Sequence, residues 1–170
     1  MPDVIIGYVR WVEAINRTVG RAIMYLVIVS MGLLLFASIS RTFFNTSYIW
    51  MVEMLQFILT AYYILGGGYS VQLDAHVRMD LFYGNLSERG KAIIDAVTSL
   101  LVIFYLVVLL IGAVSGTIYA IRYGQVNYSA WRPPLWPIKS IMTIGIFLML
   151  LQMIAVFFRD LAKARGEPIE

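Results

Sequence analysis

The residues that could hydrogen-bond or pack closely within this apolar chain follow one face of a helix predicted over residues 50–73. They recur every third or fourth residue, as positions on one helical face do: Glu53, Gln56, Thr60, Tyr63, Gly67 and Ser70. In a membrane helix such a face is typical of contact with another protein helix, because polar groups need partners and glycine permits close backbone approach. A proton or ion path through Glu53 is the alternative, but Glu53 lies at the end of its segment and no apolar segment contains a second acid.

A charged motif follows the same helix and contains His76, Arg78 and Asp80. Opposite charges so close to an apolar segment favour ion-paired structure at the membrane edge, and a protonation switch at His76 stays the alternative. The sequence has one histidine and no cysteine. It therefore offers neither two histidines for a haem nor thiolate ligands, and we expect no metal and no cofactor.

Two further groups could bind a partner. Gly112 and Gly116 form a GxxxG pair in a later apolar segment, a pattern that allows helices to approach. Residues 127–137 contain Trp131, Arg132 and Trp136 among three prolines, which predicts a stiff segment that is not helical throughout. Tryptophan and arginine are common in binding hot spots, so this segment is a candidate docking surface; interfacial anchoring of the tryptophans is the alternative.

No nucleotide-binding loop, nucleophile elbow or zinc-protease motif occurs in the chain. We therefore expect a protein that is not an enzyme. No internal repeat or pair of interrupted helices of the kind that forms transporter substrate sites is visible either, which argues against a complete transporter in this chain alone.

The elements that must position these residues are membrane helices. With 61% hydrophobic and 14% charged residues, the chain is far more apolar than a soluble protein. Residues 22–40, 54–73, 96–121 and 140–158 contain no charge, and at ~1.5 Å per residue each is about as long as the ~30 Å hydrocarbon core or longer. The prediction is an all-α integral membrane protein of one domain, residues 1–170, with transmembrane helices at about 22–43, 50–73, 92–121 and 137–159.

An amphipathic helix is predicted before the first span, over residues 3–20. One face is apolar and the other carries mostly basic residues: Val4, Tyr8, Trp11, Ile15 and Val19 against Arg10, Glu13, Arg17 and Arg21. Such a helix favours the membrane interface, with its apolar face in the acyl boundary. Packing against the edge of a partner is the alternative.

The basic residues predict the orientation. Nine Lys and Arg residues flank the termini and the middle loop, whereas the other two loops hold Arg41, Arg122, Arg132 and Lys139. By the positive-inside rule both termini face the cytoplasm. Because the basic residues flank apolar segments, nucleic-acid binding is not expected.

With these features the chain resembles the DctQ family, the small membrane subunit of tripartite ATP-independent periplasmic (TRAP) transporters. The resemblance rests on the start of span two around Glu53, the segment His76 to Asp80, and the segment Gln125 to Lys139. It implies a place in the bacterial inner membrane, beside a large DctM-like permease subunit that moves an organic acid with the sodium gradient. It also implies a periplasmic DctP-like solute-binding protein, with this subunit bracing the permease and contributing to docking.

Two other classes stay open from the residues alone. One is the membrane anchor of a redox enzyme, although a single histidine is a poor basis for a haem site. The other is a small self-assembling channel or proton-coupled carrier, which predicts solute flux by the chain alone in liposomes.

Overall fold

The computed structural model describes residues 3–73 and 88–165, and these ranges are almost entirely helical. The helices are α1 (Asp3–Met24), α2 (Leu26–Phe44), α3 (Ile49–Gln72), α4 (Glu88–Arg122) and α5 (Trp136–Arg165). Within the described residues, four stretches are long and apolar enough to cross a membrane: Ile5–Phe44, which covers α1 and α2 together, Ile49–Gln72, Val97–Arg122 and Trp136–Ala162. The prediction of an all-α membrane protein, with an N-terminal helix before four membrane-length helices, is confirmed.

The helix ends differ from the predicted bounds mainly at charged residues. α4 begins at Glu88 rather than near residue 92, and α5 continues to Arg165 rather than ending near 159. Charged side chains end an apolar segment without ending a helix, because Glu, Lys and Arg are good helix formers. α1 likewise continues beyond residue 20 to Met24, and the single residue Tyr25 separates it from α2.

The first predicted loop is short and begins at a defined helix cap. Asn45 adopts a left-handed conformation with φ 49°, and its backbone N–H donates to the carbonyl of Ser40 at the end of α2. Asparagine tolerates this conformation better than most residues, so it ends a helix well. Three further residues lead into α3, which therefore runs antiparallel beside α2.

α3 and α5 form the centre of the described bundle, with α2 packed on α3 and α4 packed on α5. Their contact depends on glycine. A Cβ at Gly145 of α5 would lie 3.0 Å from the backbone carbon and oxygen of Ile64 on α3, and a Cβ at Gly67 would overlap the end of the Met149 side chain. Small residues at these positions let the two backbones approach, as in other membrane helix pairs.

The contact between α4 and α5 is mostly apolar. Leu106 of α4 is buried with Ile146 and Leu150 of α5. The hydroxyls of Thr117 and Thr143 also join the two helices at 2.9 Å. Because Thr143 donates its hydroxyl proton to the carbonyl of Lys139, Thr117 is the donor across the pair.

α1 crosses α3 and α5 rather than running alongside either helix. Near its end, Gly20 lies against the ring and Cβ of Tyr69 on α3. Nearer its start, Val9 and Val12 form a buried cluster with Ala155 of α5. The chain therefore moves from one central helix to the other within about three turns of α1.

Polar contacts fasten this crossing. Asn16, buried in α1, donates from Nδ2 to Oε1 of the fully buried Gln152 on α5 at 2.9 Å. Glu13 of α1 forms an ion pair with Arg159 of α5. α1 is thus held to the bundle by a buried amide pair and a half-buried salt bridge.

The buried face of α1 differs from the predicted apolar face, although the two faces are adjacent. The buried positions are Val9, Val12, Asn16 and Gly20. Trp11 of the predicted apolar face is 60% exposed, which leaves it available to lipid. Location at the membrane interface stays a prediction for α1.

The two outer helices place apolar residues outward. The buried residues of α2 are serines, Ser30 and Ser40, whereas Leu35 is 62% exposed, and Phe104 of α4 is 70% exposed. A soluble bundle would bury the leucine and phenylalanine and expose the serines. This arrangement suits surroundings of lipid and of other membrane helices.

Candidate partner-binding surfaces

The predicted polar face of α3 is divided between two surroundings in the structure. Glu53 is 6% exposed, and its Oε2 accepts a long hydrogen bond of 3.4 Å from Nδ2 of Asn127. Gly67 is covered by Met149 of α5. These two residues therefore make contacts within the chain, where the sequence predicted contact with a partner. Arg41, near the end of α2, is exposed.

The other part of the polar face is open. Gln56 is exposed and Tyr63 is 69% exposed. Between them, the Thr60 hydroxyl donates to the carbonyl of Gln56 at 2.7 Å, one turn earlier in the same helix. A Cβ at Gly66, one turn beyond Tyr63, would have no neighbouring atom within 4 Å. We call this surface the open face of α3, and it consists of Gln56, Thr60, Tyr63 and Gly66. It is polar, yet it faces outward from a membrane-length helix.

A groove of 540 Å³ continues the open face toward the end of α3. Its floor is α3, and its walls come from Met149 of α5 and from Ile23 and Met24 where α1 meets α2. Tyr63, Gly66, Gly67 and Ser70 line the floor. The groove is mostly apolar, with tyrosine and serine hydroxyls at its base, as expected of a membrane surface that accepts another chain.

The predicted glycine pair of α4 makes no close side-chain contact in the described residues. A Cβ at Gly112 or at Gly116 would have no neighbouring atom within 4 Å. The carbonyl of Gly116 accepts a long hydrogen bond of 3.4 Å from Nζ of Lys139. The pair therefore stays available on the surface of α4.

The segment between α4 and α5, residues 123–135, folds into a compact loop that we call the 123–135 loop. Its two sides are joined by backbone hydrogen bonds: the N–H of Asn127 donates to the carbonyl of Pro133, and the N–H of Leu135 donates to the carbonyl of Gln125, each at 2.9 Å. Arg132 adopts a left-handed conformation with φ 48°. The prediction of a non-helical segment here is confirmed, and its shape is defined by its own backbone.

Side chains from both central helices hold this loop. Glu53 at the start of α3 accepts from Asn127, as described above. Lys139 in the first turn of α5 donates from Nζ to Oε1 of Gln125 at 2.7 Å. The loop is therefore attached at two points to the helices that form the centre of the bundle.

The 123–135 loop and the start of α5 expose the residues that the sequence singled out for docking. Trp131 is 42% exposed, Trp136 is 50% exposed, and Arg132 is exposed. Tyr128 is exposed over its whole surface, at 101%. These side chains lie close together in sequence on one end of the bundle, at the opposite end of α3 from the groove.

The charged motif of His76, Arg78 and Asp80 lies outside the described residues, so its role stays a prediction.

Sequence reasoning missed three polar contacts between distant parts of the chain. The sequence placed Glu53 on a partner-contact face and counted Lys139 among the loop charges, but both bind the 123–135 loop. Asn16 and Gln152 were not singled out, although an amide within the fourth apolar segment is a signal that a polar partner lies nearby.

Comparison with known protein families agrees with this architecture. The model of the family described as Tripartite ATP-independent periplasmic transporters, DctQ component, matches residues 30–163. The match includes all of α3 and α4 and most of α2 and α5, whereas α1 precedes it. No curated protein and no solved structure matches the chain. Since the match covers most of the chain, the predicted resemblance is confirmed, and the protein belongs to the DctQ family of membrane components in tripartite ATP-independent periplasmic transporters.

Proposed function

We propose that this chain is the small membrane subunit that braces the large DctM-like permease subunit of a sodium-coupled transporter for organic acids. A DctP-like periplasmic solute-binding protein would deliver the acid, and this chain would contribute to its docking through the 123–135 loop. The observation that carries the proposal, beyond family membership, is the open face of α3. In the described part of the chain, neither the Gln56 nor the Tyr63 side chain hydrogen-bonds to another helix.

Polar side chains on a membrane helix are stabilised when a neighbouring helix supplies hydrogen-bond partners. Gln56 and Tyr63 therefore favour a protein neighbour over lipid. The groove beside them offers room for the apolar side chains of such a helix, and the absent side chain at Gly66 permits its backbone to approach. We propose that a membrane helix of the large subunit lies along this face.

Gly112 and Gly116 supply a second candidate contact on α4. In the described bundle α4 packs on one side of α5 and α3 packs on another. A partner that contacted both the glycine pair of α4 and the open face of α3 would therefore extend across α5. Such a broad contact suits a bracing role, since it resists rotation of one subunit against the other.

The proposed orientation follows from the distribution of basic residues. With the termini and the middle loop in the cytoplasm of a bacterial inner membrane, the 123–135 loop faces the periplasm. The groove and α1 then lie toward the cytoplasmic side, together with the charged motif of His76, Arg78 and Asp80.

The proposal is tested by purifying the tagged chain in mild detergent from its native membrane and measuring how much of a large multi-span permease is recovered with it. We expect Gly66→Leu to reduce that recovery at least about tenfold, since a leucine on the open face blocks helix approach. Gly32→Leu is the matched control, because a Cβ at Gly32 of α2 also has no neighbour within 4 Å. It should leave recovery within about twofold of the native chain.

Equal recovery with both variants would refute the open face as the contact. Recovery of the native chain by itself, as a stable homo-oligomer, would refute the accessory role. It would favour a self-assembling channel or carrier, which liposome flux by the purified chain would then establish.

A further inference from the structure

We infer that the 123–135 loop binds an acidic protein surface, and that Glu53 and Lys139 are the positioning residues that hold it in its binding shape. The inference rests on the proposed function, because it takes the loop to face the periplasm and its partner to be the solute-binding protein. It adds the chemistry of the partner surface and assigns Glu53 a role at the loop rather than at the permease contact.

The loop has a defined shape that its sequence does not favour locally. Arg132 has φ 48°, a conformation that is unfavourable for a residue with a Cβ and that persists only when surrounding contacts enforce it. The surrounding contacts are the two backbone hydrogen bonds across the loop and the donation from the Arg132 N–H to Oγ of Ser129 at 3.2 Å. Unfavourable backbone held in this way is typical of binding loops.

The two attachments determine where the loop points. Glu53 reaches it from α3 and Lys139 from α5, so the loop is fixed relative to both central helices. A loop attached to rigid helices loses little conformational entropy when a partner binds, which strengthens binding. The attachment to Asn127 also involves the one acid among the described residues at this end of the bundle, Glu53, which is buried.

The charge at this end is consequently one-sided. The helix ends and the 123–135 loop there carry Arg41, Arg122, Arg132 and Lys139, and the one acid among the described residues at this end, Glu53, is buried beneath Asn127. A surface with exposed cations and no exposed acid attracts an acidic partner and repels a basic one. The exposed tyrosine and tryptophans around Arg132 provide the aromatic contact area common in protein interfaces.

A protein partner accounts for these features better than lipid headgroups do. A lipid surface is fluid and requires no fixed loop shape, so it gives no reason for a left-handed arginine held by several hydrogen bonds. A folded protein surface selects one shape. The complete exposure of Tyr128 also suits contact with a partner beyond the membrane surface.

The test uses the complex of this chain with its large subunit in nanodiscs of phosphatidylcholine, and the purified solute-binding protein of the same transporter as the probe. We expect Arg132→Glu to weaken binding of that protein roughly tenfold or more, by reversing a charge at the centre of the contact. Arg41→Glu, the matched control, makes the same charge change in the last turn of α2 and should weaken binding no more than about threefold. Raising KCl at constant sodium should weaken native binding and reduce the difference between the variants.

The positioning role is tested by conservative rescue. Glu53→Gln keeps an oxygen that accepts from Asn127 and should bind within about threefold of the native complex, whereas Glu53→Leu should bind roughly fivefold or more weakly. Both variants must still recover the large subunit, which separates loop placement from assembly. Native binding by Glu53→Leu would overturn the positioning role.

Three other results would overturn the docking inference. One is equal loss with Arg132→Glu and Arg41→Glu, which would indicate long-range charge alone. A second is unchanged binding with Arg132→Glu. The third is binding that appears only when phosphatidylglycerol replaces part of the phosphatidylcholine, which would assign the loop to lipid. In each case a large subunit recovered with the native chain leaves the proposed bracing function standing, whereas its absence refutes that function.

Discussion

Two adjacent glycines of α3 have different neighbours. Gly67 is covered by Met149 of α5, whereas a Cβ at Gly66 would have no neighbour within 4 Å. One residue corresponds to about 100° of rotation around a helix, which is enough to separate the packed side of α3 from its open face. The chain closes its own bundle on one side of α3 and leaves small and polar residues exposed on the other.

The same contrast divides the other glycines. Covered glycines lie where helices meet, as Gly145 does against Ile64 and Gly20 against Tyr69. Open glycines lie on outward surfaces: Gly32, Gly66, Gly112 and Gly116. In the helices, glycine therefore has two uses. Covered glycines set the distance between helices of the chain, and open ones leave room for surroundings outside it.

The largest change in stability that tests this contrast is expected at Gly145. Gly145→Ala places a methyl group against the backbone of Ile64, which cannot move without separating α3 from α5. We expect a loss of about 2–3 kcal/mol in the free energy of unfolding. Thermal unfolding in mild detergent measures this loss of stability. The readout is the fraction of the chain that stays monodisperse as the temperature rises.

Gly112→Ala is the matched control on the open side. The added methyl group meets no neighbour, and alanine favours a helix over glycine by up to about 1 kcal/mol. The two substitutions should therefore change stability in opposite directions. Equal destabilisation by both would show that the open glycines also pack within the chain.

A smaller effect is expected at the buried amide pair that fastens α1. Gln152→Leu removes the acceptor for Asn16 and leaves a polar side chain in an apolar site, although Asn16 still donates to the carbonyl of Val12 at 3.2 Å. We expect a loss of about 1–2 kcal/mol in the free energy of unfolding. The same unfolding measurement applies.

The double substitution Asn16→Leu and Gln152→Leu sharpens this test. Oδ1 of Asn16 and Nε2 of Gln152 are buried without a partner in the structure, so replacing both amides also removes two unsatisfied groups. The double variant should be more stable than Gln152→Leu alone. Additive losses would mean that the two side chains act independently.

Much of the fold could be predicted from the sequence, because apolar segments between charges follow directly from the energetics of burying a chain in lipid. The same reasoning placed the N-terminal helix and the non-helical segment around the prolines. It began α4 too late, near residue 92, and ended α5 too early, near Arg159, because charges there end the apolar segment but not the helix.

The candidate sites could be predicted only in part. Helical spacing grouped Glu53, Gln56 and Gly67 on one face of α3, but spacing has no information on which neighbour covers which residue. That depends on long-range packing, such as the approach of Asn127 to Glu53 across 74 positions of sequence. For the same reason the sequence could not tell Gly66 from Gly67.

The smallest expected effect lies on the exposed side, at Arg132, where a gain in stability should accompany a loss of binding. Arg132→Gly removes the unfavourable left-handed arginine, and glycine adopts φ 48° without strain. After allowance for the greater freedom of glycine in the unfolded chain, we expect the loop to gain about 0.5 kcal/mol. Exchange of the Asn127 and Leu135 amide hydrogens, whose N–H groups join the two sides of the loop, should slow roughly twofold.

Binding of the solute-binding protein should weaken with Arg132→Gly in spite of the more stable loop, because the guanidinium is absent. Arg132→Lys is the matched control: it keeps both the charge and the unfavourable backbone, so exchange should not change and binding should persist. Faster amide exchange in Arg132→Gly would mean that the arginine side chain itself holds the loop. The residue would then belong with the covered glycines, as part of the packing of the chain, and not with the open surface.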